Sequence, residues 1–170
     1  MPNHLYCIAT DIDHARSIMK ALSEAGITSE HVSVLSADRK TNGSLAGDPH
    51  GHVAHGSLEG VNIGGAIGWL AGLGTLAIPG IGLFVAAGPI LGILTGVAVG
   101  ASLGTLRGTM VEEMGIPDAS LPHFEDAMNA GRIVISARFE AGELTTRATE
   151  AIRQAGALEI GTTKAEFPSG

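Results

Sequence analysis

The sequence predicts an α+β protein, in which a ferredoxin-like four-stranded sheet with helices is interrupted by a long glycine-rich helical hairpin. Strand and helix periodicities appear in two separated stretches, 1–38 and 115–170. Between them, residues 60–106 contain no Asp, Glu, Lys, Arg or His, so all 10 Lys and Arg and all 17 Asp and Glu lie elsewhere. We therefore predict one α/β domain from the two outer stretches, a polar His/Gly linker over 39–59 and an apolar hairpin over 60–110.

The N-terminal stretch predicts a strand, a helix and a second strand. Residues 4–10 are rich in strand formers, and Asp11 or Asp13 then offers an N-cap for a helix that Gly26 ends. A second strand follows over 31–36. Apolar residues of the helix recur at spacings of three and four, which is typical of one buried stripe: Ala15, Ile18, Met19, Leu22 and Ala25.

The C-terminal stretch predicts two further helices and two strands. One helix starts near Pro117 and ends at Gly131, and residues 132–139 then alternate between apolar and polar as a half-buried strand does. A last helix over 142–155 leads into a strand over 157–160. With the middle of the chain removed, two βαβ units remain, which is the ferredoxin-like plan.

Glycines recur every four residues in the insertion, so that each series lies along one side of a helix. Pro79 and Gly80 mark the turn between two predicted helices, 61–78 and 89–108, and Pro89 suits the first turn of the second. The two glycine series are Gly60, Gly64, Gly68 and Gly72, then Gly88, Gly92, Gly96, Gly100, Gly104 and Gly108.

These glycines set a constraint on the environment of the hairpin. Each costs roughly 1 kcal/mol relative to alanine inside a helix, or on the order of 10 kcal/mol for both series, which close helix packing can offset. Because the small sheet is expected to be covered by its own helices, the apolar sides of the hairpin need lipid or other copies of the chain. Spans of about 27 and 30 Å match a bilayer, with both termini cytoplasmic.

Other functions have less support in the sequence. A net charge of -7 without a basic cluster argues against nucleic-acid binding. The single Cys7 lies in a predicted strand, where a buried, unreactive thiol is expected. No nucleophile elbow or phosphate-binding loop occurs, so we expect no catalytic residue, no cofactor and no enzyme. No secretory signal is visible, so we expect the cytoplasm or the cytoplasmic face of the inner membrane.

The linker holds three histidines, His50, His52 and His55, which are weak candidates for a metal site. Their spacing matches no standard zinc pattern, and the surrounding glycines favour a solvated linker. We therefore expect no metal.

Several runs of the insertion resemble the glycine-rich core of bacterial general-stress and low-temperature-induced proteins: GAIGWLAGLG over 65–74, AIPGIG over 77–82, AAGPI over 86–90 and MGIP over 114–117. The histidine linker departs from that group. The resemblance implies a stress-associated, non-enzymatic protein and brings no catalytic residues. We expect a structural protein whose hairpin drives membrane insertion or homo-oligomeric self-assembly. The alternative is a membrane-anchored regulatory module that binds a small molecule or metal through the ferredoxin-like domain.

Overall fold

The structure, a computed structural model, describes residues 2–37, 74–78, 82–96, 103–140 and 142–164. Its strands are β1 (Pro2–Ala9), β2 (Val32–Ala37), β3 (Gly74–Ile78), β4 (Gly82–Ala87), β5 (Ile133–Glu140) and β6 (Leu158–Lys164). Its helices are α1 (Ile12–Glu24), α2 (Pro89–Gly96), α3 (Leu103–Glu112), α4 (Leu121–Asn129) and α5 (Glu143–Gln154). The predicted α+β class is confirmed.

All six strands form one sheet in the order β3-β4-β2-β5-β1-β6, and every neighbouring pair is antiparallel. Helix α1 joins β1 to β2, but β5 lies between these two strands and pairs with both. Helix α5 likewise joins β5 to β6, with β1 between them. The sheet thus consists of two interleaved split βαβ units, extended past β2 by β4 and β3. The prediction of four strands was wrong, since the insertion contributes two more.

Helix α1 follows its sequence signals closely. The Asp11 carboxylate accepts a hydrogen bond from the His14 backbone N–H at 2.9 Å, which caps the first turn. The chain leaves the helix through Gly26 at φ +97°. Together with α5, α1 covers one side of the sheet and forms the first core, which includes Leu5, Cys7, Ile18, Leu22, Val34, Ile135 and Ile152. The predicted stripe of α1 is confirmed as its buried side.

The opposite side of the sheet is covered by α2, α3 and α4 and forms a second core. Its members include Ile8, Leu35, Phe84, Ile90, Leu94, Leu106, Met110, Phe124 and Val134. The central strands are apolar on both sides: Leu35 and Val134 face the second core, while Val34 and Ile135 face the first. The expectation that the domain lacks surface to cover the insertion was therefore wrong, because α1 and α5 cover only one side of the sheet and the described helices of the insertion pack on the other.

The described part of the first predicted hairpin helix is a strand. Residues of β3 pair with β4 from Gly74 opposite Ala86 to Ile78 opposite Gly82, and β4 pairs with β2. A short apolar run bounded by glycine and proline satisfies strand and helix periods alike, so sequence periodicity did not separate the two. The free side of β2 supplies the backbone partners that favour a strand. The predicted turn therefore joins two strands, although Pro79 and Gly80 themselves lie outside the described residues.

The second predicted helix, 89–108, contains two helices rather than one straight rod. Helices α2 and α3 contact each other, which two parts of one continuous helix cannot do at this separation. Each buries one side in the second core, α2 through Ile90 and Leu94 and α3 through Leu106 and Met110. Among the described helices, none combines the length and the apolar character that a bilayer crossing requires.

Candidate functional site

Many of the residues that the sequence singles out lie outside the described ranges, and their roles stay predictions. They are the packing glycines Gly60, Gly64, Gly68, Gly72 and Gly100, the turn residues Pro79 and Gly80, and the candidate metal ligands His50, His52 and His55.

Gly88 belongs to a turn rather than to a helix. It links β4 to α2 at φ +78°, and a Cβ on it would overlap the backbone carbonyl of Val32 in β2. Pro89 follows as the first residue of α2, as predicted, and the Ile90 N–H donates to the buried Ser33 hydroxyl at 3.2 Å. Gly88 is thus required by the close approach of its backbone to β2 and is no part of a helical ladder.

Gly92, Gly104 and Gly108 lie on the outer sides of α2 and α3 and are exposed. A Cβ on Gly92 or on Gly108 would meet no atom of the described residues within 4 Å. Neither glycine therefore mediates a close contact between two helices of the described chain. Gly96 is the last residue of α2.

A bidentate ion pair holds α3 against α4. Arg107 Nε and Nη2 donate to the two carboxylate oxygens of Glu125 at 2.6 and 2.8 Å. The Arg107 side chain is about half exposed, whereas Glu125 is 18% exposed. This pair orients the outer side of α3, on which Gly104 and Gly108 lie.

A polar cluster lies beside the second core where β1 begins. His4 is buried, and its Nδ1 has no hydrogen-bond partner among the described residues. Burial lowers the pKa of His4, and the neighbouring Arg138 lowers it further. Gly115, at φ +67°, has no side chain and leaves room for the His4 ring. Arg138 pairs with Glu113 at 3.4 Å at the edge of a cavity of about 250 Å³.

A larger pocket, of about 380 Å³, lies between the start of α4 and β6. The residues that line it come from three parts of the chain that are distant in sequence. They include Tyr6 of β1, Ser120, His123 and Phe124 around the start of α4, and Glu159 and Gly161 of β6. We call this the β6 pocket.

Aromatic contacts fix the wall of the β6 pocket. The Phe124 ring packs edge-on against Tyr6, with centroids 5.5 Å apart at 76°, and against His123, 5.9 Å apart at 89°. His123 Nε2 lies 3.6 Å from Glu159 Oε1. The Tyr6 ring lies so close to Gly161 that a side chain there would overlap it. The pocket therefore has rings in defined positions beside one carboxylate.

An open groove of about 750 Å³ lies between α1 and α5. Small residues such as Ala21 and Ala151 form its base. Its rim carries both charge signs, with Lys20 and Arg147 beside Glu24 and Glu150, and so selects neither cations nor anions.

Cys7 is a buried thiol, as predicted. Burial raises its pKa to about 12, which leaves it protonated and unreactive at neutral pH. Within the part of the chain that the structure describes, no three His, Cys, Asp or Glu side chains come together as metal ligands.

Sequence reasoning missed the β6 pocket. Tyr6, His123 and Glu159 are more than 30 positions apart from one another and follow no motif. The only local signal is Gly161, because a glycine inside a strand often marks the close approach of another group.

Comparisons of the chain with protein-family models, with curated proteins and with solved structures find no significant match.

Proposed function

We propose that the protein is a non-enzymatic, stress-associated structural protein that assembles with copies of itself through the outer sides of α2 and α3. The observation that carries this is the open space at Gly92 and Gly108. Each helix-interior glycine costs roughly 1 kcal/mol relative to alanine, and a Cβ at either position would meet no atom of the described residues within 4 Å, so an alanine would fit at both. A close contact with a helix of a second copy would offset it.

The framework that presents these helices is, in our proposal, ferredoxin-like. Two interleaved split βαβ units support this assignment, since β5 separates β1 from β2 and β1 separates β5 from β6. The β3–β4 pair and the second helical layer are additions to that plan. The stress association follows from the resemblance of the glycine-rich runs.

Self-association is a stronger proposal than membrane insertion. Ile90, Leu94, Leu106 and Met110 are buried against the sheet of their own chain, and insertion of α2 and α3 into lipid would expose this side of the sheet. Loss of so many buried side chains is costly at about 1.5–3 kcal/mol each. We propose the cytoplasm as the location, which suits a single buried thiol.

Sedimentation velocity of the wild-type chain and of Gly92→Leu and Gly108→Leu tests the proposal. Both glycines are exposed and a Cβ on either meets no described atom within 4 Å, so we expect circular dichroism to be unchanged while the oligomer dissociates or weakens about 10-fold or more. Ser23→Leu, an exposed change on α1 across the sheet, is the matched control and should leave assembly intact.

Flotation with vesicles of phosphatidylethanolamine and phosphatidylglycerol distinguishes binding to lipid from binding to a second copy of the chain. The proposal expects the wild-type chain to stay at the bottom of the gradient as an oligomer. A wild-type chain that is monomeric over the whole concentration range, or one that floats, would overturn it.

A further inference from the structure

The β6 pocket owes its shape to a β-bulge. Tyr6 of β1 lies opposite Gly161 and Ile8 lies opposite Leu158, so that two residues of β6 face the single residue between them on β1. One of the two is Glu159, at φ +51°, the only residue other than glycine with positive φ in the described chain. Left-handed backbone is unfavourable for a residue with a Cβ, and bulges re-aim side chains near functional sites.

The bulge places the Glu159 carboxylate beside the start of α4, 3.6 Å from the His123 imidazole. That separation is too long for a direct hydrogen bond, so the two groups adjoin without satisfying each other. An acceptor that is held in a strained backbone and half exposed, at 55%, can bind a donor from outside the chain.

Two hydroxyl groups complete the polar side of the pocket. The Ser120 hydroxyl precedes α4 without capping it. Neither it nor the Tyr6 hydroxyl makes a hydrogen bond with any described residue. Both oxygens can therefore accept a hydrogen bond from a ligand.

The charge of the pocket selects the class of ligand. Among the described residues that line the pocket, Glu159 is the only carboxylate and none is Lys or Arg, and the whole chain carries a net charge of -7. A cation is attracted to such a site, whereas an anion meets the carboxylate. The Tyr6 ring offers apolar surface for a short hydrocarbon group.

We propose that the β6 pocket binds a small organic cation, a primary amine with a short apolar body. The ammonium group donates to the Glu159 carboxylate and to the Tyr6 and Ser120 hydroxyls, while the hydrocarbon part packs on the Tyr6 ring. The volume of about 380 Å³ lies within the usual range for small-ligand pockets. This binding does not depend on self-association through α2 and α3, because no residue of either helix is among those that line the pocket.

Three probes of equal chain length test the charge preference: n-butylammonium, n-butanol and n-butyrate. In NMR titrations of the full chain we expect n-butylammonium to shift the ring signals of Tyr6 and His123. The neutral alcohol should bind about 10-fold more weakly or worse, and n-butyrate should give no shift. Butyrate binding as tight as that of butylammonium, or no response to butylammonium, would overturn the proposal.

Glu159→Gln removes the charge and keeps the shape of the side chain, with Glu143→Gln, an exposed change on α5, as the matched control. We expect butylammonium affinity to fall about 10-fold or more in the first variant and to stay unchanged in the second. Equal affinity in both variants would exclude Glu159 as the recognition group. Gly161→Ala provides a second test, since its methyl group displaces the Tyr6 ring and should also weaken binding.

Discussion

Two glycines of the same sequence ladder, Gly88 and Gly92, should respond to alanine substitution in opposite directions. Gly88 has φ +78°, and a Cβ on it would overlap the Val32 carbonyl, which belongs to a central strand and cannot move without disturbing the β2 pairings. Gly92 lies on the outer side of α2, where a Cβ would meet nothing within 4 Å. Gly88→Ala should therefore destabilise the fold, and Gly92→Ala should stabilise it.

The magnitudes follow from these environments. At Gly88, left-handed backbone costs about 1–2 kcal/mol for a residue with a Cβ, and overpacking against the strand costs about 1–3 kcal/mol. Together they predict a loss of about 2–5 kcal/mol in the free energy of unfolding. At Gly92, alanine gains up to about 1 kcal/mol of helix propensity. For a chain of this length we expect Tm to fall by roughly 5–15 °C in the first variant and to rise by about 2–4 °C in the second.

Thermal and urea unfolding followed by circular dichroism measure both values. The protein should be dilute enough to be monomeric, because self-association raises apparent stability by mass action. Equal effects of the two substitutions, or a Gly88→Ala variant as stable as the wild type, would refute the placement of Gly88 against the Val32 carbonyl of β2.

Three further predictions concern His4, Glu159 and Cys7. Because burial, assisted by Arg138, lowers the pKa of His4 below its ordinary 6.5, the unfolded chain takes up a proton before the folded chain does. The stability that this group contributes is complete above pH 6.5 and is lost as the pH falls toward the pKa of His4 in the folded chain. Urea midpoints measured from pH 8 to 5 should therefore decline, and the decline should be smaller in the His4→Gln variant. Glu159→Gly relieves the left-handed strain and should raise the unfolding free energy by about 1 kcal/mol, and a lower urea midpoint would contradict the strained bulge. With a pKa of about 12, Cys7 should resist iodoacetamide in the native state and react only in denaturant, as mass spectrometry would show, whereas rapid native labelling would contradict its burial.

The elements with strong local signals were predictable from the sequence. The cap at Asp11 and the apolar stripe through Ile18 and Leu22 identified α1. Alternation over 132–139 identified β5, although the prediction of a half-buried strand was wrong, because Val134 and Ser136 on its second side are buried under the second helical layer. A glycine identified the ends of α1, α4 and α5. These signals are local, since capping, helical period and the conformational freedom of glycine depend on residues within a few positions of one another.

The apolar middle of the chain was less predictable, and the reason is physical. Apart from Thr75, residues 74–78 and 82–87 carry only glycine and apolar residues, so the sequence is compatible with a buried strand and with a buried helix. Pairing with the free side of β2 decides for the strand, because a buried backbone needs hydrogen-bond partners that lie far away in sequence. The same holds for the β6 pocket, whose groups meet only when β1, α4 and β6 come together.

The sequence alone determined the α+β class, the positions of the flanking helices and strands, and the concentration of uncharged, glycine-rich residues in one segment. Tertiary structure decided how that segment is used: part of it extends the sheet, part forms a second helical layer, and Gly88 and Gly92 take unrelated roles. Composition states that a segment must be buried, whereas the surface that buries it depends on contacts between distant parts of the chain.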